Sequence, residues 1–571
     1  MSRRSNTPEF STLDAALGQL GWCLKSGVTV AQVSVSTKAG AGESGITTQL
    51  LGYVVTWILP VLASLLIIWL ALSLTDFYYP HAWVSAHIAT IAHSFAIHGI
   101  IGLHGIPIEN FDPLTTQPDN YLHWPPFFYY VLSLVLRAFP DSIRAMHLFM
   151  AVIAIANAYV MWIIASMFFK PRVAIVCGSA FLLMPATLRY GLILLPANLA
   201  MLGVSVALLF MLRYLQSADA GRERSLDLGL SALAFFLACI TSWEPFLALP
   251  GLLLAYGFNR RSAIFKACIC WAIAAGASTL AIYSLSDATF FSDLWSIFTF
   301  RLGLTQYLPL SARVHPVEGQ LETIDSLNAF SSAAHFFEAY VIRTQLFCGS
   351  LGIVGILALL LTALRRRRGT PDNFFAALLL PLCIVWMGWA AVMQGHYITH
   401  EYQMILASPI LAIGVTCIYS LLDDILLATQ DSWPRENLAM LINLALPCAL
   451  LFLGISAVAI TVRGEGEAWH LANLGRRIQA EVPTGAVVIT NETSMVQTYY
   501  AERHVIRGVP DGPYLESKLG MIQDTCPSCA LYLAVRRQSA QKFRDMLDRL
   551  QPVFEDDNFI IKKISRAERN H

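Results

Sequence analysis

Thr75-Asp76-Phe77-Tyr78-Tyr79-Pro80-His81 opens a stretch that closes on His123-Trp124-Pro125-Pro126-Phe127-Phe128-Tyr129-Tyr130, directly after the first long apolar segment. Between its ends lie the carboxylates Glu109, Asp112 and Asp119, the histidines His87, His93, His98 and His104, and many aromatics. It is too polar to face lipid at depth and too apolar for an ordinary loop in water. It reads as a catalytic loop lying on a membrane surface.

The rest of the chain agrees with a membrane setting. Of 571 residues, 56% are hydrophobic and only 13% are charged, against about 25% charged in soluble domains. Mean hydropathy is +0.57. Lys and Arg number 38, as do Asp and Glu, so there is no basic footprint for nucleic acid. Apolar segments near the length of a span cover 51–74, 145–168, 172–188, 193–213, 227–242, 245–258, 264–284, 342–363, 373–393, 402–423 and 437–461. The expected fold class is mainly α: a polytopic bundle of about eleven spans with interfacial helices. Residues 1–49 read as a flexible cytoplasmic tail with no cleavable signal.

Orientation follows from Lys and Arg in short loops. Lys170/Arg172, Arg213 with Arg222/Arg224, Arg260/Arg261/Lys266 and Arg365–Arg368 all fit the cytoplasmic side without conflict. Loop 75–144, loop 285–341, the turn Gln394–Glu401 and the tail from 462 then fall outside. That order leaves 126–139 lying along the outer surface instead of crossing, and 83–100 as an interfacial helix with one wet face. From 462 to 571 charge rises and the apolar runs shorten. Strands at Ala486–Thr490, Ala530–Val535 and Phe559–Ile564 with helices at Ser494–Tyr500 and Gln538–Leu550 give a small extracytoplasmic α/β domain.

The same topology gathers unusual polar residues from distant segments at one outer level: Asp76, His81, His123, Arg144, Arg189, Glu244, His396, His400 and Glu401. Ionisable groups at membrane depth are costly and usually functional. The order of motifs is an early Asp after the first span, His123-Trp124-Pro125-Pro126 with aromatics behind it, Arg144 at the next span, Met184-Pro185-Ala186-Thr187-Leu188-Arg189-Tyr190, then His400-Glu401-Tyr402 and Ser408-Pro409. Over residues 50–461 this resembles the GT-C glycosyltransferases, the protein O-mannosyltransferase and aminoarabinose transferase group. The soluble tail resembles the outer domains appended to many bacterial members.

The resemblance implies transfer of a sugar from a polyprenyl-phosphate donor to a lipid, glycan or protein acceptor outside the cytoplasm, in a bacterial inner or plasma membrane. It assigns Asp76 the role of base or metal contact. An acceptor hydroxyl attacking an anomeric carbon needs a placed carboxylate to take its proton. The lipid-phosphate leaving group needs cations at the membrane surface, from Arg or a divalent metal. Arg144 and Arg189 are candidates for it, or else snorkelling anchors, with His123 as a hydrogen-bonding neighbour. Glu244 either contacts an acceptor or is solvated. His400 and Glu401 are candidates for carrier phosphate or acceptor. No cofactor is certain, and a divalent metal is the one the family allows. Many relatives carry Asp-Glu where this chain has Asp76-Phe77, and some carry Lys where it has Trp124. Either the function has drifted or Glu109, Asp112 or Glu244 fills in for the second acid.

The spacing of His81, His87, His93 and His98 does not repeat one helical face at i, i+4, and they read as interfacial side chains. Cys526-Pro-Ser-Cys529 is open to a redox site, half a zinc site or a disulfide, and outside the cytoplasm a disulfide is expected. Two other functions compete. A flippase for a lipid-linked glycan should show inverted repeats and broken helices at mid-membrane, and no internal repeat is evident. A non-catalytic scaffold with an outer binding domain is the third reading, kept open by the absent second acid.

Overall fold

The computed structural model describes residues 43–77, 81–111, 120–140, 142–219, 221, 224–257, 262–286, 290–292, 294–295, 353–364, 374–392, 401–428, 444–463 and 469–564. The chain divides into two compact units, Met1–Leu51 and Gly52–His571, and the contacts described below lie in the second. His396, His400, Asp112, Asp119, most of loop 285–341 and the Arg365–Arg368 run lie outside the described residues.

Apolar helices dominate. Four described helices are long and apolar enough to cross a membrane: Ile143–Ser166, Pro196–Ala218, Ala263–Leu285 and Tyr402–Leu426. Shorter apolar helices occupy the remaining candidate segments, among them Trp57–Ser73, Pro171–Leu183, Ser225–Cys239, Ile353–Leu364 and Leu446–Val462. Small residues let some of them meet backbone to backbone. A Cβ on Gly414 would stand 2.8 Å from the Gly355 carbonyl oxygen, so two helices cross there at glycine.

Two basic clusters are held by acids. Lys170 lies 3.1 Å from the buried Asp423 and Arg172 pairs with the same carboxylate. Arg213 lies 3.7 Å from Asp227. The ends of the helices Pro171–Leu183 and Ser408–Ala428 are therefore tied together.

Helix Phe127–Ala138 has 12 residues, about 18 Å of rise against about 30 Å of hydrocarbon, so it cannot span. Its Arg137 donates to the carbonyls of Phe95 and Ala96, tying it to helix Ala82–His98. That second helix departs from expectation. It has no long wet face: Val84, Ser85, Ala86, Ile88, Ala89, Ile91, Ala92 and Phe95 are all buried. The reason is a cover invisible in its own pattern, since helix Met495–Ala501 of the C-terminal domain packs onto it.

That domain is a sheet of five strands in the order β2-β1-β3-β5-β4, with β1 Val487–Ile489, β2 His504–Ile506, β3 Leu531–Arg536, β4 Gln551–Glu555 and β5 Phe559–Ile564. β1 runs parallel to β2 and β3, while β5 runs antiparallel to β3 and β4. The short hydrophobic runs at 487, 531 and 559 form its centre, as expected. The helices Trp469–Glu481 and Gly512–Thr525 and the strands β2 and β4 are additions. Segment 538–550 is a 3-10 helix, Arg537–Phe543, followed by a short α-helix, Arg544–Leu547. Cys526 and Cys529 form a disulfide, their Cα atoms 5.4 Å apart.

Candidate active site

The first helix, Glu43–Ser73, ends just before Asp76. Leu74 and Phe77 on either side are buried. Full burial of a side chain such as Phe contributes about 1.5–3 kcal/mol, so these two residues anchor the exit and leave the acid between them partly exposed. The Phe77 ring meets Tyr499 edge-on at 4.9 Å, Tyr500 at 6.1 Å and His147 at 6.4 Å. The aromatic in the place of a second acid is therefore a packing residue.

Asp76 Oδ1 accepts two hydrogen bonds from the C-terminal domain, from Arg476 Nη2 at 2.6 Å and from the Tyr500 hydroxyl at 2.5 Å. The Asp76 side chain remains 25% exposed. Burial, then the hydrogen bond and charge of Asp76, pushes the Tyr500 phenol well above its ordinary range, so this hydroxyl stays a donor. The guanidinium of Arg476 lies over the Tyr500 ring, 4.6 Å from its centroid, and its Nη1 donates to Asn473 Oδ1 at 3.2 Å. Both donors were missed in the sequence because they lie some 400 residues from the acid on ordinary amphipathic helices.

A second carboxylate of the same loop is held differently. Glu109 accepts from Arg507 Nη2 on Oε2 at 2.6 Å and faces His87 Nε2 through Oε1 at 3.1 Å. Burial alone would raise its carboxyl, but the charges and hydrogen bonds of His87 and Arg507 outweigh that and bring it to about 2. Beside it, Asn110 Oδ1 accepts from the Val505 backbone N–H at 3.0 Å, so the loop caps β2 at the sheet edge.

The other sequence candidates fall into separate contact groups. The carbonyl of His123 accepts from Trp243 Nε1 at 2.7 Å, and the carbonyl of Trp124 accepts from the Tyr283 hydroxyl at 2.5 Å. Pro125 and Pro126 lack N–H groups and fix their φ, so the corner is pinned through carbonyls and through Phe127 N–H to the Ile240 carbonyl. Glu244 belongs to this corner. It is 1% exposed and accepts from Ser242 Oγ, so the solvated reading is overturned: the turn Trp243-Glu244 folds inward as a 3-10 helix, Glu244–Leu247.

Arg189 stacks over Tyr190 at 5.5 Å, and the ring of His81 lies 6.1 Å from Tyr190 and 4.7 Å from Tyr402. Arg144 is exposed in the first turn of Ile143–Ser166. One turn on, the buried His147 places Nδ1 3.0 Å from the Leu192 carbonyl, a neighbour of Phe77 with no distinguishing sequence signal. Glu401 begins the 3-10 helix Glu401–Ala407, and its side chain is outside the described residues. The remaining histidines pack as expected: His93 against Phe111 at 4.6 Å, His98 Nε2 2.9 Å from the Phe111 carbonyl.

Among the described residues no group of three or more His, Cys, Asp or Glu could hold a metal ion. Glu109 has both oxygens engaged, Glu244 is in another group, and Asp76 faces two donors. The chemistry available is that of a partly exposed carboxylate held by one oxygen, beside aromatic walls and arginines.

No protein-family model matches the sequence, and no curated protein sequence matches it. Solved structures do. ArnT from Cupriavidus metallidurans in the apo state superimposes with a TM-score of 0.57 at 14% identity, over 90% of this chain and 98% of that one. The same protein bound to undecaprenyl phosphate gives 0.56 at 14% identity and the same coverage. The oligosaccharyltransferase of Archaeoglobus fulgidus gives 0.53 at 12%, over 86% of this chain and 69% of that one. At such identities the likeness is one of fold, and it extends over the bundle and the outer domain together. The chain shares the fold of ArnT and of the archaeal oligosaccharyltransferase, and its long apolar helices make it an integral membrane protein.

Proposed function

We propose that the chain is a membrane glycosyltransferase that moves a sugar from a polyprenyl-phosphate donor to an acceptor on the extracytoplasmic side. The observation that carries this is Asp76: a part-exposed carboxylate at the outer end of the first apolar helix, with one oxygen held and the fold of transferases around it. The acceptor oxygen bonds to the anomeric carbon as the carbon–oxygen bond to the lipid phosphate breaks. Asp76 takes the hydroxyl proton, and the lipid phosphate leaves with the bonding electrons.

Arg144 and Arg189 are the cations proposed for that phosphate. Arg144 is exposed in a first helical turn, where the helix dipole already attracts anions, so guanidinium and helix end act together. The undecaprenyl phosphate in ArnT and the dolichol-phosphate in the archaeal oligosaccharyltransferase support a lipid-phosphate donor here. The eleven apolar segments then cross a bacterial plasma membrane with the N-terminus cytoplasmic. Cysteines introduced at 141 and at 365 should be labelled from opposite sides; labelling from one side breaks that topology.

A scaffold reading is favoured by one fact, that Asp76 also joins the two parts of the chain. Analysis of lipid-linked sugars in a deletion strain separates the two. A transferase predicts accumulation of one polyprenyl-phosphate sugar, and an unchanged lipid profile supports the scaffold.

A further inference from the structure

The two donors on Asp76 come from a domain that folds some 400 residues later in the chain. Both meet the same oxygen, Oδ1. Among the described residues, no donor reaches Oδ2. From this asymmetry we infer that Arg476 and Tyr500 are positioning residues: the C-terminal domain holds one oxygen of Asp76 so that the other faces the acceptor hydroxyl. This deepens the proposed transferase reading and rests on it.

The clamp is built from the backbone up. Helices Trp469–Glu481 and Met495–Ala501 pack against each other, and Gly475 is their point of closest approach. A Cβ there would stand 2.6 Å from the Gln497 carbonyl oxygen and 2.7 Å from Tyr500 Cβ. Glycine thus lets Arg476, the next residue, lie over the Tyr500 ring. Asn473 fixes the far side of the guanidinium, and Phe77 and Tyr499 hold the Tyr500 ring. Every part of the clamp is itself held, as a site with sub-ångström tolerance requires.

The clamp is separable from docking. The domain is attached elsewhere by Arg507 to Glu109, by Val505 to Asn110, and by Tyr499 against Phe77, Phe111 and His93. The Arg476–Asp76 pair is 43% exposed on the arginine side, and such pairs add little stability. Its consequence is geometric.

The test uses the full-length protein in native membranes with a panel of radiolabelled undecaprenyl-phosphate hexoses and pentoses. Tyr500→Phe keeps the ring and removes the donor; its turnover should fall about tenfold, and that of Arg476→Ala about 100-fold, the scale of a catalytic group displaced by an ångström. Arg476→Lys should recover part of the loss. Donor KM and the melting temperature should match wild type in all three. Arg507→Met is the docking control and should lower the melting temperature while leaving turnover at low temperature unchanged. Variants that transfer like wild type overturn the inference while leaving the transferase reading intact. So do variants whose loss merely tracks a melting temperature lowered as in Arg507→Met. A wild type that transfers from no donor overturns the transferase reading, and the clamp with it.

Discussion

Asp76 and Glu109 belong to one loop, and each meets an arginine of the C-terminal domain, yet they are held in opposite ways. Glu109 spends one oxygen on His87 and the other on Arg507. Each of its oxygens faces a basic side chain, and its carboxyl is held at about 2. Asp76 takes both of its donors on one oxygen. A carboxylate with no oxygen to spare can fasten two parts of a chain but cannot accept a proton from a substrate. One held by a single oxygen can do both. The number of oxygens engaged, more than the presence of an ion pair, separates the docking acid from the one proposed as base.

The largest effect expected from breaking this comparison lies at Asp76 itself. Asp76→Asn keeps the size and should cost about 1,000-fold in transfer, within the range of general base catalysis. The losses at Arg476 and Tyr500 follow as given above. Gly475→Ala comes next. The methyl group forces two helices apart and should destabilise the outer domain by about 1–3 kcal/mol, with turnover falling because Arg476 and Tyr500 separate. Thermal unfolding and transfer measured on the same membranes check it, and wild-type values for both would remove the glycine from the clamp.

The smallest effect is a pH dependence at Glu109. Its carboxyl lies below its ordinary value of 4.5 in the folded chain. The stability it contributes is therefore full above 4.5 and is lost as pH falls towards about 2. Protease sensitivity of the C-terminal domain should rise over that window in wild type, and the rise should be absent in Glu109→Gln, which lacks the group. A rise of equal size in that variant would assign the acid sensitivity to another residue.

Much of the fold was legible because apolar length and loop charge act locally along the chain. The four long apolar helices, the short helix after Pro126 and the strands at 487, 531 and 559 announce themselves by run length and β-branched content. Asp76 stands out by position, as the first acid after the first apolar helix, and its role as base is proposed. The clamp was not legible. Arg476 sits beside Arg477 on an amphipathic helix and Tyr500 beside Tyr499 on another, and nothing local distinguishes the residue that reaches across from its neighbour. The one hint is Gly475, a helix breaker by propensity inside a 13-residue helix, which marks a close approach without naming its partner. Glu244 failed for the opposite reason. A Trp-Glu-Pro turn reads as a wet outer loop, and only the inward fold of the corner around His123 buries it.

The central claim is that Asp76 is the base of a sugar transfer on the outer face. The most direct measurement compares wild type and Asp76→Asn, at equal expression and equal melting temperature, for transfer of radiolabel from undecaprenyl-phosphate sugars in native membranes. The account predicts transfer by wild type and loss of about 1,000-fold in the variant. Transfer by Asp76→Asn at the wild-type rate would contradict it, and would leave Asp76 with only the docking role that Glu109 already performs.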